Sequence, residues 1–117
     1  MAVNKETVTW VKHWSSKTFS FKTTRNYPNK FNNGEFAMIG MEHEGKKLMR
    51  AYSIASANHE DYLEFLSIVV PEGPLTSKLK DIKQGDEILI GPKPVGTLLC
   101  DSLKKDTTLW LIGTGTG

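Results

Sequence analysis

The stretch EFAMIGMEHEGKKLMRAYSIA, residues 35–55, holds two apolar segments on either side of a short charged turn. The segments 35–43 and 47–55 have the length of strands, and the Glu44-Gly45 dipeptide between them is typical of a turn. We therefore predict an antiparallel hairpin over these residues. A hairpin of this kind indicates a fold that is built from antiparallel strands.

The same β pattern continues on both sides of this hairpin. Phe19 and Phe21 alternate with polar neighbours, as in a strand with one buried face. Further strands are predicted at 6–14, 17–25, 62–70, 86–90 and 97–100, with a loop at 26–34 and a turn at 91–96. Many short strands separated by turns predict an all-β fold, which we expect to be an antiparallel Greek-key β-barrel.

A single helix is predicted over residues 74–82. Pro74 stands at the first helical position, where the missing N–H of proline is tolerated, and Gly85 follows the helix. The apolar residues within the segment recur at helical spacing, and they are Leu75, Leu79 and Ile82. This helix is expected to cap the open end of the barrel.

The last segment of the chain differs from the barrel strands. Residues 108–112, TLWLI, form a continuous apolar run of the kind found in buried parallel strands, and residues 113–117 read GTGTG. A buried strand that runs into a glycine-rich turn is how a dinucleotide-binding βα unit begins. We therefore predict the barrel domain in 1–100, with a linker, the first strand and the turn of an otherwise absent second domain in 101–117.

Composition and charge limit the possible partners. The chain has 117 residues, 38% of them hydrophobic and 24% charged, which is ordinary for one soluble domain. A net charge of +2 is too small to indicate nucleic-acid binding, and no apolar run is long enough to span a membrane. The scattered lysines are compatible with a solvated surface or with a basic face for a small acidic electron carrier.

The cysteine and histidine content argues against disulfides and metal ions. Cys100 is the only cysteine, and the N-terminal MAVNKETVTW lacks the apolar run of a signal peptide. We therefore expect a cytoplasmic protein. His13, His43 and His59 lie far apart without ligand spacing, so no metal site is predicted.

The segment Arg50-Ala51-Tyr52-Ser53 has the chemistry that a flavin dinucleotide requires. An arginine suits a pyrophosphate, a tyrosine ring suits stacking on a flavin, and a hydroxyl can reach a ring nitrogen. Arg50 and Tyr52 share one face of a strand, while Ser53 points to the other face. The alternative is an ordinary strand with one solvated arginine.

A second segment, GPLTS at residues 73–77, has the residues of an anion site at a helix start. Backbone N–H groups are free at such a position, Gly73 permits close approach, and Thr76 and Ser77 add hydroxyls. Simple helix capping would use the same residue types, so both interpretations stay open.

Taken together, these segments resemble the bacterial ferredoxin–NADP⁺ reductases. The resemblance extends over essentially the whole chain, including FSFKTTRN at 19–26, NGEFAMIG at 33–40, LMRAYSIAS at 48–56, LEFLSIVV at 63–70, GPLTSKL at 73–79, GDE at 85–87, KPVGTL at 93–98 and the final GTGTG. It implies the FAD-binding barrel of such an enzyme, with NADP(H) as a co-substrate of the complete enzyme.

The resemblance also implies a role for each site residue. Arg50 would bind the FAD pyrophosphate, Tyr52 would stack on the isoalloxazine, and Ser53 would lie near the flavin N5, so Tyr52 and Ser53 are the expected catalytic residues. The remaining cofactor contacts implied by the resemblance are Ala51, Ser67, Ile68, Val69, Gly73, Leu75, Thr76 and Thr116.

The expected function is therefore the flavin-binding part of a reductase that moves electrons between NADPH, FAD and ferredoxin or flavodoxin. Without an NADP-binding domain, the chain alone is expected to lack full activity. The alternative is a non-enzymatic binding module that keeps the barrel. The apolar segment 108–112 would then favour a homodimer or a strand-swapped assembly.

Overall fold

The computed structural model describes residues 3–26 and 30–115. Six strands form one antiparallel sheet, in the order β4-β3-β6-β1-β2-β5. The strands are β1 (Asn4–His13), β2 (Thr18–Thr24), β3 (Phe36–His43), β4 (Lys46–Ser53), β5 (Tyr62–Ile68) and β6 (Glu87–Ile90), with a helix α1 (Thr76–Leu79) and a 3₁₀ turn at Cys100–Ser102. The all-β antiparallel prediction is confirmed.

Two hairpins and two longer connections define the topology. β1 and β2 form one hairpin, β3 and β4 form the other, and β5 pairs with the free edge of β2. The chain then passes through α1 and returns as β6, which lies between β1 and β3 and joins the two hairpins. This return of a late strand to the first one is the non-local connection that the predicted Greek-key type of fold requires.

The core lies on the inner face of the curved sheet and is filled by alternating side chains. Phe19 and Phe21 of β2 and Phe65 of β5 are fully buried and form a continuous aromatic stack. Their burial follows from the period of two, because every second residue of a strand points to the same face. The pattern that predicted β2 from Phe19 and Phe21 is confirmed.

The helix is shorter than predicted, although its apolar residues are buried as expected. α1 covers Thr76–Leu79, and Leu75, Leu79 and Ile82 are each 5% exposed or less. The chain tightens after the helix, since the backbone N–H of Ile82 donates to the carbonyl of Leu79 rather than to that of Lys78. The segment predicted over 74–82 is therefore a short helix flanked by turns.

The predicted closure of the barrel is wrong. β4 and β5 are the two edges of the sheet, and no ladder of backbone hydrogen bonds joins them among the described residues. The sheet curls far enough to bring these edges close, because the Tyr52 hydroxyl of β4 lies 3.1 Å from Ser67 Oγ of β5. The structure is thus an open, barrel-like sheet with a gap between β4 and β5.

Among the described residues, neither 97–100 nor 108–112 forms a strand, and only 97–100 was predicted as part of the barrel. Residues 97–100 are not paired with the sheet. The last paired residue before them is Val95, which exchanges two backbone hydrogen bonds with Phe36. Gly96, at φ +145°, then turns the chain away. Residues 108–112 lie outside the sheet, and the side chains of Trp110, Leu111 and Ile112 are 80–87% exposed. A buried strand requires neighbours, and the described part of this chain offers none to that segment.

Candidate functional site

The gap between β4 and β5 forms a groove of about 610 Å³. At one end it is bounded by a backbone bond, in which the N–H of Ala55 donates to the carbonyl of Glu64 at 2.8 Å. The Tyr52–Ser67 contact crosses the gap further along. The groove is lined by Ala51, Tyr52, Ser53, Ala55, Leu66, Ser67, Ile68, Val70, Thr76 and Leu98.

The register of β4 sorts its residues onto two faces. Arg50 and Tyr52 stand opposite Ile39 and Ala37 of β3, both of which are buried, so this pair lies on the inner side of the sheet. Ala51 and Ser53 alternate with them and point to the other side. Because β4 is an edge strand, residues of both faces reach the groove.

Tyr52 and Arg50 differ in how firmly they are held. Tyr52 is half-buried and packs against the hydrophobic core, while its hydroxyl contacts Ser67. Arg50 is exposed, and its Nη1 donates to the carbonyl of Met49 at 2.8 Å. The structure does not bring Arg50 into the lining of the groove.

The end of β5 supplies a second wall. Ser67 is 2% exposed and stands opposite Phe19 of β2, whereas Ile68 is 44% exposed and faces the groove. The backbone N–H of Val69 donates to the carbonyl of Lys17 at 2.7 Å. This N–H is therefore engaged within the fold, and Val69 does not line the groove.

The loop before α1 is tightly built around Gly73. Its N–H and the Thr76 hydroxyl both donate to the carbonyl of Val70, each at 2.9 Å. A Cβ at residue 73 would collide with Oγ1 of Thr76, so any larger residue requires the loop or the Thr76 side chain to shift. The helix has no side-chain cap at its N-cap residue Leu75, which is buried. The hydroxyl of Thr76 thus shapes the loop rather than capping the helix.

The groove contains six of the predicted site residues, and they are Ala51, Tyr52, Ser53, Ser67, Ile68 and Thr76. Arg50, Val69, Gly73 and Leu75 lie outside its lining, while Thr116 falls outside the described residues. The other four lining residues were not predicted, and they are Ala55, Leu66, Val70 and Leu98. Leu66 belongs to β5, which has apolar residues on both faces, and this pattern indicates that the outer face of β5 is also covered. No sequence pattern points to Leu98.

A second groove of about 590 Å³ adjoins the first and shares Ala55 and Leu66 with it. Its aromatic wall is Trp14, which is 56% exposed and donates its indole N–H to Ser20 Oγ at 2.8 Å. The ammonium of Lys12 lies 4.1 Å from the centre of the Trp14 ring. The two grooves form one continuous surface along β5.

The loop that leads from β4 to β5 is ordered by Glu60. Its carboxylate accepts hydrogen bonds from the Ala57 N–H and the Tyr62 hydroxyl, each at 2.8 Å. The backbone N–H of Ala57 lowers the pKa of Glu60 below its ordinary value of 4.5, and the Tyr62 hydroxyl adds to that effect. The same bond to Glu60 raises the pKa of Tyr62 above its ordinary value of 10.0.

Two further properties of the described residues bear on the class of protein. No helix in 3–26 and 30–115 is long and apolar enough to cross a membrane. The same part of the chain holds no group of three or more His, Cys, Asp or Glu side chains that could bind a metal ion.

Residues 4–98 match the family model of the oxidoreductase FAD-binding domain. This chain belongs to that family. The FAD-binding domain is 55% identical over 112 residues to the ferredoxin–NADP reductase of Pseudomonas aeruginosa, covering 96% of this chain and 43% of that protein. It is 53% identical over 113 residues to the flavodoxin/ferredoxin–NADP reductase of Rhodobacter capsulatus, covering 96% of this chain and 42% of that protein.

A solved structure supports the same relationship. The ferredoxin NADP⁺ reductase from Neisseria gonorrhoeae, a crystal structure with bound FAD and NADP, is similar at 32% identity and a TM-score of 0.80. The match covers 83% of this chain and 39% of that one. The FAD-binding domain is therefore of the ferredoxin–NADP reductase type, which favours the flavin-binding interpretation over a binding module without the reaction. It spans less than half the length of the curated relatives it matches.

The residues of the groove fit FAD in size and chemistry. An opening of about 610 Å³ is within the range of cofactor pockets. Tyr52 offers an aromatic ring that can stack on a flavin, and the hydroxyl of this ring contacts Ser67. In the loop before α1, the Gly73 N–H and the Thr76 hydroxyl are engaged by the Val70 carbonyl, so a phosphate there requires other N–H groups of the loop or a change of these two bonds.

Proposed function

We propose that this chain holds FAD in the gap between β4 and β5 and is the flavin-binding part of a ferredoxin- or flavodoxin–NADP reductase. The observation that carries the proposal is the convergence of six predicted site residues, from two distant strands and the α1 loop, on one groove. A site assembled from separate segments is a stronger argument than any of the short motifs taken alone.

Each residue has a role that its position supports. The exposed guanidinium of Arg50 would bind the pyrophosphate, since it carries several N–H donors and the contact with Met49 uses one. Gly73, Leu75 and Thr76 would complete the phosphate cradle with backbone groups, and the Thr76 hydroxyl would turn from the Val70 carbonyl to the phosphate. Arg50 and this loop would then hold the phosphate portion of the cofactor at the end of the groove that Thr76 lines.

The flavin ring would occupy the groove itself. Tyr52 would stack on the ring and Ser53 would contact its reactive nitrogen, so these two residues are the proposed catalytic pair. Ala51, Ser67 and Ile68 would enclose the ring edge, with the carbonyl of Val69 and residue Thr116 as further proposed contacts. When bound, FAD supplies the hydride and electron chemistry, while the protein binds the ring, orients it and limits its contact with water.

The co-substrate and partners of the complete enzyme follow from the same relationship. We propose NADP(H) as the hydride donor or acceptor and ferredoxin or flavodoxin as the one-electron carrier, because the similar proteins carry these names. We also propose a cytoplasmic location, because a free, exposed thiol such as Cys100 persists most readily in a reducing compartment.

Residues 1–100 are proposed as the flavin-binding domain, and 101–117 as the linker and first strand of an NADP-binding domain. The family match ends at residue 98, which supports a boundary there. Leu109, Trp110, Leu111 and Ile112 are exposed in this chain, a feature of a segment that is completed by other structure. In isolation, we propose that this segment mediates a homodimer or a strand-swapped assembly.

Titration of the chain with FAD, followed by flavin absorbance and fluorescence, tests the proposal. Arg50→Ala should weaken binding about 10- to 100-fold, as expected for a charge-assisted hydrogen bond, and Tyr52→Ala about 2- to 10-fold, as expected for an aromatic stack. Lys47→Ala is the matched control, because Lys47 is an exposed cation on the same strand and lies outside the groove. A folded parent without saturable binding, or equal loss in the control, would contradict the proposal.

A further inference from the structure

Two hydroxyl hydrogen bonds in series involve Ser67, and the first of them crosses the gap between β4 and β5. The Tyr52 hydroxyl lies 3.1 Å from Ser67 Oγ, and Ser67 Oγ donates to the carbonyl of Ile68 at 3.3 Å. A serine hydroxyl has a single proton, which can serve one of these two bonds at a time. With the Ser67 proton on the Ile68 carbonyl, Tyr52 donates to Ser67; with the Ser67 proton on Tyr52, the phenol O–H is free to donate toward the groove.

Ser67 is buried where an apolar side chain would satisfy the β pattern. It is 2% exposed, stands opposite Phe19, and follows Leu63 and Phe65 on the inner face of β5. A hydroxyl in such a position costs free energy unless it is hydrogen-bonded. The bond to Tyr52 offsets part of this cost, and it is the contact of Ser67 that can orient another side chain.

The backbone does not fix the Tyr52 ring on the β5 side. Tyr52 pairs with Ala37 of β3, while its other edge faces the gap, where no ladder connects β4 with β5 in the described chain. The nearest backbone link across the gap is the bond from Ala55 to Glu64. The side-chain bond to Ser67 is therefore what ties the tip of the ring to β5.

We propose that Ser67 is a positioning residue, whose hydroxyl fixes the tip, and so the direction, of the Tyr52 ring against which the flavin of FAD stacks. The inference rests on the proposed function. It assigns a role to the side chain of Ser67, in addition to the contact of Ser67 with the ring edge. A stacked ring transmits its orientation to its partner, so the hydroxyl affects both FAD affinity and the environment of the flavin chromophore. Ser67 itself acts through Tyr52.

The test compares the full chain with Ser67→Ala, Ser67→Thr, Tyr52→Phe and the Ser67→Ala/Tyr52→Phe double variant. FAD affinity and the visible absorption bands of bound FAD are measured for each, and melting temperatures report whether each variant folds. Ser67→Ala and Tyr52→Phe should each weaken FAD about two- to tenfold, the equivalent of one hydrogen bond. Both should shift the flavin bands in the same direction.

The double variant and the conservative variant separate positioning from packing. If the two hydroxyls act through one bond, the double variant should lose no more FAD affinity than the single variant that binds FAD more weakly. Ser67→Thr keeps the hydroxyl and should restore affinity and band positions relative to Ser67→Ala. Additive losses, unchanged bands in Ser67→Ala, or failure of a folded Ser67→Thr to restore them would overturn the proposal.

A flavin-free measurement distinguishes this inference from the proposed function. In the chain labelled with ¹³C-tyrosine, the Tyr52 ring resonances, assigned by their loss in Tyr52→Phe, should shift in Ser67→Ala and return toward the parent in Ser67→Thr. Absence of FAD binding by the folded parent would refute the proposed function and the flavin-stacking role together. Normal FAD binding with unmoved Tyr52 resonances in Ser67→Ala would refute the positioning role alone.

Discussion

The backbone N–H of Ala55 donates to the carbonyl of Glu64 at 2.8 Å, just beyond the end of β4. The Glu64 N–H in turn donates to Ser56 Oγ at 3.0 Å. These bonds join the two edges of the sheet at one end of the groove, while further along the edges are linked through side chains. The groove thus lies where pairing between β4 and β5 stops. A complete hydrogen-bond ladder between these two strands would close the groove.

Removal of this anchor should loosen the groove. In Ala55→Pro the N–H donor is lost and the carbonyl of Glu64 loses its partner, so we expect the free energy of unfolding to fall by about 1–3 kcal/mol. Chemical denaturation measures this loss. Ala55→Ser keeps the N–H and is the control; a proline variant as stable as the serine variant would show that the bond does not hold the edges together.

The packing of the loop before α1 predicts that Gly73→Ala lowers the stability of the protein. The Cβ in Gly73→Ala would collide with Oγ1 of Thr76 and lie 3.2–3.3 Å from Val70 O and Cβ. The loop must shift, which should lower stability by about 1–3 kcal/mol and weaken FAD binding. Thr76→Ala removes the colliding atom, so the Gly73→Ala/Thr76→Ala variant should lose less than the sum of the singles. Strict additivity, measured by denaturation, would contradict this steric explanation.

The strand content of the fold could be predicted from sequence because local patterns encode it. Phe19 and Phe21 alternate with polar residues, and the burial of both followed from that period alone. Glu6 defies the pattern, since it is an acidic residue that is only 2% exposed. Its burial depends on hydrogen bonds from the Thr24 hydroxyl and the Asn26 N–H, which are long-range partners that no local pattern reveals.

The site was predicted in part, for a related reason. Alternation on β4 correctly separated Arg50 and Tyr52 from Ser53, since a strand fixes side-chain direction. The Tyr52–Ser67 bond and the open gap depend on how far the sheet curls, which arises from the packing of all six strands. Residues 108–112 stay a predicted strand of a second domain, because a parallel strand takes its stability from neighbours and the described residues supply none.

The exposed C-terminal segment predicts self-association of the isolated chain. Trp110 is 80% exposed and Ile112 is 87% exposed, so their apolar area is available to another molecule. The Trp110→Ser/Ile112→Ser variant should sediment as a smaller species at the same concentration. Its free energy of unfolding should change by less than about 0.5 kcal/mol, since neither side chain belongs to the core. If the parent associates and the double variant has the same sedimentation coefficient as the parent, this segment is not the contact between chains.

The Glu60 loop predicts a specific dependence of stability on pH. The Ala57 N–H and the Tyr62 hydroxyl hold the pKa of Glu60 below 4.5 in the folded state. A group whose pKa is lowered by folding stabilises the protein above its unfolded pKa, and this contribution is lost as pH falls through the folded pKa. For Tyr62 the sign is opposite: its raised pKa contributes below 10.0 and is lost as pH rises through the higher folded value.

Urea unfolding of the parent and of Glu60→Gln, carried from neutral to acidic pH, isolates the acid limb. The difference in their unfolding free energies should be constant near neutrality and should shrink below pH 4.5, because protonation removes the same charge that the substitution removes. Tyr62→Phe should behave likewise on the alkaline side, and Glu72→Gln controls for the loss of one exposed carboxylate. A Glu60→Gln difference that stays constant through the acid range would mean that the carboxylate's charge does not stabilise the loop leading from β4 into β5.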